Sequence, residues 1–276
     1  MKTKYIPFFL LLIVIVISSC GTNGNDVENA DKRLMLIKKL IAENKLNEAK
    51  AEIDSVHVLF PKLVDRRKMA VALKDTIVLR ESYKMLIYCE LALPDLKKTY
   101  DNLLGNFVFE KNEKYDEFGK YVYKTQLTEQ NAGRNYLSVE LVENGDVFLI
   151  SHYSGGKINH SKLRINALDV TVASDTTNSS AGVLHAFNDG VAYYENLTFR
   201  NEADGGIAGF IATNKTEAIK VTLIGNRSFS YLLGEKDKTA IATSYSFAKT
   251  KKAIVKAEND MRIAKQRIGK IKLLYN

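Results

Sequence analysis

Residues 247–275 read FAKTKKAIVKAENDMRIAKQRIGKIKLLY, and their spacing decides the fold. Phe247, Ile254, Met261, Ile268 and Tyr275 recur every seven residues; Thr250, Ala257, Ala264 and Ile271 form a second column three positions on. That a/d pattern belongs to a helix burying one seam against another helix. With Asp237 or Thr239 as N-cap, it predicts a helix over about 238–274, about 55 Å long. The chain contains its own partner. Val64, Val71, Val78, Met85 and Ala92 repeat at the same interval between Lys62 and Ala92, and Leu63, Ala70 and Ile77, with Leu73 and Ile87, widen that stripe. Pro94 is expected to end that helix and to start a shorter one through Leu104. The two long helices are expected to pair within one chain; a coiled-coil homodimer through the tail is the alternative.

Upstream, Leu34, Ile37, Leu40 and Ile41 lead to a turn at Asn44-Lys45, and Leu46, Ala49, Ile53, Val56 and Leu59 continue to Pro61. Two short helices at this spacing form an αα-hairpin. Asn47-Glu48-Ala49-Lys50 resembles half of a tetratricopeptide repeat, but no second copy follows. Between the long helices the period changes to two. Leu137, Val139 and Leu141 alternate with polar residues, as do Leu163-Ile165-Ala167, Ile219-Val221-Leu223 and Phe229-Tyr231-Leu233. Glu143-Asn144-Gly145-Asp146, Asn188-Asp189-Gly190 and Gly225-Asn226 supply turns. About ten short strands are expected, in a sandwich or flattened barrel.

The N-terminus carries an address. Lys2 and Lys4 precede an uncharged apolar run through Ile17, and Ser18-Ser19 stand before Cys20. This is a signal peptide, too short to span a bilayer. Its end resembles the lipobox of bacterial lipoproteins, with Ile17 where that family more often has Leu. The resemblance implies cleavage before Cys20, diacylglycerol on its sulfur and an acylated, palmitate-bearing N-terminus on a membrane, with the outer membrane as the expected address. The boundaries are then 1–19 signal peptide, 20–29 flexible tether, 30–104 helical region, 105–236 antiparallel β domain and 237–276 C-terminal coiled-coil helix. The fold class is α+β: an N-terminal helical hairpin and long helix pairing with the C-terminal helix and enclosing a β-sandwich-like domain.

Charge is concentrated in one element. Net charge is +8, yet residues 249–276 hold nine Lys/Arg against Glu258 and Asp260, while residues 105–248 hold 14 basic and 17 acidic residues. Nucleic acid is not an expected partner of an exported protein, so the basic stripe reads as a solvated face or one near anionic lipid. With Cys20 acylated, Cys89 has no disulfide partner and is expected to pack as a small apolar group on a helix.

Signatures of chemistry are sparse. The four histidines, His57, His152, His160 and His185, lack the close ligand spacing of a metal site; His152 and His160 alone are placed to face one another over a hairpin. Ser151-His152-Tyr153-Ser154 holds residue types for nucleophilic catalysis, but neighbours along a strand point to opposite faces and no nucleophile elbow surrounds the serine. Neither a Gly-rich phosphate loop nor a dinucleotide fingerprint follows a strand. No cofactor, no metal and no catalytic residue is therefore expected, an envelope hydrolase being the remote alternative. Tyr153, Tyr193 and Tyr194 are candidate glycan contacts. Asp54-Ser55-Val56, Asp75-Thr76-Ile77 and Asp175-Thr176-Thr177 resemble the O-glycan acceptor of exported proteins in certain Gram-negative anaerobes; Thr176, in a polar loop, is the best placed.

The whole plan resembles cell-envelope lipoproteins of gut-dwelling Gram-negative anaerobes, through stretches such as Phe60-Pro61-Lys62-Leu63-Val64 and Phe109-Glu110-Lys111-Asn112-Glu113-Lys114-Tyr115. That resemblance brings no activity with it. The expected function is a lipid-anchored, non-catalytic interaction or scaffold module whose partner is an envelope protein or, alternatively, a surface glycan.

Overall fold

The computed structural model describes residues 24–143, 145–177, 182–200 and 202–275. Its elements run α1 (Gly24–Ala42), α2 (Leu46–Leu59), α3 (Val64–Leu104), β1 (Phe107–Glu110), β2 (Lys120–Tyr123), β3 (Tyr136–Val142), β4 (Val147–Gly155), β5 (Lys162–Ala167), β6 (Val170–Ala173), β7 (Gly182–Asn188), β8 (Tyr193–Phe199), α4 (Ile207–Thr213), β9 (Lys220–Ile224), β10 (Ser228–Leu232) and α5 (Glu235–Tyr275). The α+β class is as expected. The chain divides into two units: one takes the residues up to Lys84 with those from Lys265, the other is Met85–Ala264. Both long helices contribute a segment to each.

In the first unit, Ala30, Leu34, Ile37, Ala49, Ile53 and Val56 of the α1–α2 hairpin form one buried cluster with Ala70 and Ile77 of α3. Asn44 takes a left-handed φ of 60°, and Lys45 N–H donates to Leu40 O, a helix end closed by an Asn in the αL region. Arg33–Glu52, Arg66–Asp31 and Lys50–Glu81 pair across the helices. The helix α1 begins at Gly24, so residues 24–29 of the expected tether are helical: Asp26 favours the first turn and Ala30 is wholly buried.

Two expectations about α3 are corrected. Its seam is not the Val64 column: Val64, Val71 and Met85 are 55%, 45% and 41% exposed, whereas Ala70 and Ile77 are 0%. The broad apolar stripe offered two columns, and the face toward the α1–α2 hairpin is the one buried. Nor does Pro94 break the helix, which is continuous from Val64 to Leu104. Pro94 sits on the exposed face, where water can satisfy the carbonyl that loses its N–H donor.

The second unit carries two antiparallel sheets, ordered β1-β2-β3-β4-β8-β7 and β10-β9-β5-β6. One buried cluster draws Leu137, Val139, Leu149, Leu197 and Phe199 from the first sheet and Leu163, Ile165, Val221 and Leu223 from the second, with Ile207 and Ile211 of α4 and Ile241 of α5. Alternation sets these faces, and a one-residue slip would expose the whole row. The start of α5 lies earlier than its predicted N-cap: Asp237 is inside the first turn, 2% exposed, and accepts from Arg134 Nη2 at 2.7 Å. The α5 seam itself is largely inward, with Phe247, Ala257, Ala264, Ile268 and Ile271 all buried. In each unit α5 meets its segment of α3 in antiparallel order: Tyr275 OH donates to Asp75 Oδ2 at 2.7 Å in the first, and Lys97 pairs with Glu258 at 2.9 Å in the second.

Candidate functional site

Strand register in the second unit brings together a serine, a histidine and a glutamate that lie far apart in sequence. Ser151 on β4 faces Leu197 on β8, and Glu195 faces Tyr153, so Ser151 and Glu195 share the inner face of the sheet. The loop between β4 and β5 delivers His160. Its Nδ1 lies 2.7 Å from Glu195 Oε2 and its Nε2 lies 3.1 Å from Ser151 Oγ. Glu195 also accepts backbone N–H groups of Ile158, Asn159 and His160 at 2.8, 2.7 and 2.9 Å. Burial opposes its ionisation, but these donors and the imidazole prevail and hold the carboxyl below its usual range. Burial likewise pushes His160 down, against the pull of Glu195. A neutral His160 next to a carboxylate fixes the tautomer: Nδ1–H donates to Glu195, and Ser151 Oγ–H donates to Nε2.

That is the hydrogen-bond order of a nucleophile–base–acid relay. Yet Ser151, His160 and Glu195 are each 0% exposed, so the described structure offers a substrate no route to Ser151 Oγ. What the relay does here is anchor the 158–160 loop, where Asn159 takes a left-handed φ of 49°. His152 does not join it. The expected approach of His152 to His160 fails because Ser151 and His152 occupy opposite faces. On the outer face, His152 stacks on Tyr136 at 4.1 Å and bonds Ser138 Oγ and Asn196 Oδ1 at 2.8 and 3.0 Å. His57 accepts from Arg67 Nε, and His185 is exposed on β7. Among the described residues no group of three or more His, Cys, Asp or Glu is arranged to hold a metal ion.

Burial pushes the half-buried His152 imidazole down to about 4. Between pH 6.5 and 4 the unfolded chain therefore binds more protons than the folded one, so stability falls as pH falls through that window. From this residue alone, the loss between pH 7 and pH 5 is expected to be about 2 kcal/mol. Urea titrations at the two pH values check it. His152→Gln should remove that part of the drop; parallel curves for the two proteins would refute it.

The candidate glycan contacts separate. Tyr153 is withdrawn from the surface: it is 5% exposed, packs edge-on to Phe229 and donates its hydroxyl to Gly156 O. Its inward phase on β4 makes it a core residue. Tyr193 and Tyr194 are half-buried and point to opposite faces, Tyr193 under Lys157 Nζ and Tyr194 stacked on Phe187 at 4.9 Å and 14°. Asp189 turns inward on its own hairpin, accepting from Val191 and Ala192 N–H. Thr176 is exposed in the loop after β6, whereas Ser55 and Thr76 lie in helices and bond backward to Ala51 and Ala72 carbonyls. Cys89 is free and 1% exposed. Cys20 lies outside the described residues.

Two features escaped the sequence reading. One is the buried relay. The other is β7, whose residues Gly182-Val183-Leu184-His185-Ala186-Phe187-Asn188 form the outer edge of the six-stranded sheet with no Asp, Glu, Lys or Arg. Val183, Leu184 and Phe187 are 47%, 38% and 46% exposed, although Val183 and Phe187 lie on one face and Leu184 on the other. The opposite edge strand, β1, does carry a charge: Glu110, paired with Lys120 of β2. No described helix is long and apolar enough to cross a membrane. Comparison with family models, with curated proteins and with solved structures returns no match.

Proposed function

We propose that this chain is a lipid-anchored, non-catalytic interaction module of a bacterial cell envelope, docking an extended segment of a partner protein along β7. The signal peptide and Cys20 support the anchor, and the sealing of Ser151 supports a non-catalytic role. The observation that carries the docking element is the uncharged β7 edge. A free edge presents a row of backbone N–H and C=O groups, and soluble proteins ordinarily guard it with Lys, Pro or a bulge. An added strand satisfies those groups, while alternate side chains give specificity. Self-pairing of two copies is too small to suffice. Seven residues extend about 24 Å, so two such edges bury roughly 500 Å², under half of what a stable interface needs. A partner segment running on to Phe187, Tyr194 and the exposed Val191 gains the missing area. The stacked Phe187–Tyr194 pair favours a glycan as the second reading.

A photo-crosslinking residue at His185, used in intact cells, tests this. The expected adduct joins residue 185 to one defined peptide of another protein, and Val183→Lys with Phe187→Lys abolishes it while leaving the melting temperature unchanged. Adducts only to the same chain, only to glycan, or to nothing would overturn the reading.

A further inference from the structure

Within the unit Met85–Ala264, a groove of about 860 Å³ opens between the start of β4, the turn before α4 with α4 itself, and the early turns of α5. Its volume falls in the range of small-ligand sites, which combine an apolar floor with a few placed polar groups. The floor here is apolar: Leu149, Ala208 and Ala248 line it and are 2%, 4% and 3% exposed. Small side chains keep it open. A Cβ on Gly209 would lie 3.1 Å from Tyr245 Oη, so a glycine there lets Tyr245 stand against α4 as a wall. Gly206, at φ +82°, has nothing within 4 Å of a Cβ position.

The rims carry opposite charges that do not meet. Lys249 and Lys252, three residues apart on α5, share one face and one rim. Glu202 stands on the other, on a backbone held at φ 64°, where a residue with a side chain costs roughly 1 kcal/mol. Asp204, beside it, is committed to its own turn, accepting from Gly206 and Ala208 N–H. Among the described residues, Glu202, Lys249 and Lys252 make no ion pair with one another or with any other side chain. Two ammonium groups on α5 thus share an apolar trough with the carboxylates of Glu202 and Asp204 beside α4 and of Asp146 at the foot of β4, and among the described residues Glu202 and both lysines carry no ion pair.

We propose that this groove binds a short peptide with both termini free. Its carboxylate lies between Lys249 and Lys252, its amino group against Glu202, and its apolar side chains on the floor beside Tyr245. A zwitterion matches both signs of charge at once; a simple anion would meet the carboxylates of Glu202 and Asp146, and a simple cation would meet two lysines. This site is separate from β7 and stands whether or not β7 docks a partner.

Trialanine is the probe, titrated into the isotope-labelled protein and followed by the amide resonances of Ala208, Gly209 and Ala248. These should shift with the free peptide, and N-acetylation or C-terminal amidation should each weaken binding at least tenfold. Lys249→Gln with Lys252→Gln should erase the preference for the free carboxylate but keep that for the free amine; Glu202→Gln should do the reverse. All three positions are on the rim, and an unchanged melting temperature confirms that the variants fold. No shift with trialanine at millimolar concentration, or equal binding of the blocked peptides, overturns the proposal.

Discussion

Glu195→Ala is expected to lower stability by about 4 kcal/mol and the melting temperature by roughly 10 °C. The carboxylate is 0% exposed and accepts four hydrogen bonds, three from consecutive backbone N–H groups and one from the His160 ring. Removing it leaves those donors buried without an acceptor, at about 1–3 kcal/mol for each one that water does not reach. The 158–160 loop also loses what holds Asn159 in its left-handed conformation. Two controls isolate the cause. Glu195→Gln keeps one carbonyl oxygen but turns an NH₂ group toward a donor, so it should fall about midway. Ser151→Ala removes only the far end of the relay, a single neutral hydrogen bond of about 1 kcal/mol. The linkage has a sign as well. The folded carboxyl is held below its usual range, so its contribution is present above the unfolded value and is lost as pH falls through the folded one. Differential scanning calorimetry reads all three variants. A Glu195→Ala protein melting with the wild type would mean that the loop is positioned without the carboxylate.

How far the sequence disclosed this molecule depends on which contacts are periodic. The α5 seam was legible because heptad spacing survives wherever one face of a helix is buried, and Phe247, Ala264 and Ile271 are buried as that spacing requires. The register of α3 was not, because Leu63-Ala70-Ile77 runs as a second apolar column beside the longer Val64-Val71-Val78-Met85 one, and the position of the α1–α2 hairpin chooses between them. The strand β7 lacked any pattern to find: a strand exposed on both faces has no buried alternation. The buried relay joins residues 151, 160 and 195 through cross-strand register, which local spacing does not encode. One signal was present. In Tyr193-Glu195-Leu197-Phe199 an acidic residue occupies the apolar phase of a strand, and a carboxylate in that position demands buried donors.

Phe247→Ala is the second large expected loss, about 4 kcal/mol by chemical denaturation. The ring is 0% exposed and touches three elements besides its own: it stacks on Tyr100 of α3 at 4.8 Å and on Phe107 of β1 at 4.5 Å, and meets Tyr121 of β2 edge-on at 5.4 Å. Truncation therefore opens a cavity at the point where α3 and α5 reach the first sheet, and four elements would have to move together to close it. Phe247→Leu, which refills most of the volume, should cost about half as much. The aromatic geometry adds a term that volume alone does not supply, on the order of 1 kcal/mol for a well-placed ring pair. A double-mutant cycle with Tyr100→Ala separates the two. If the Tyr100–Phe247 stack ties α3 to α5, the double variant loses about 1 kcal/mol less than the sum of the single losses. Strictly additive losses would show that each ring contributes only its own buried area, and the junction would then rest on the sheet contacts of Phe107 and Tyr121.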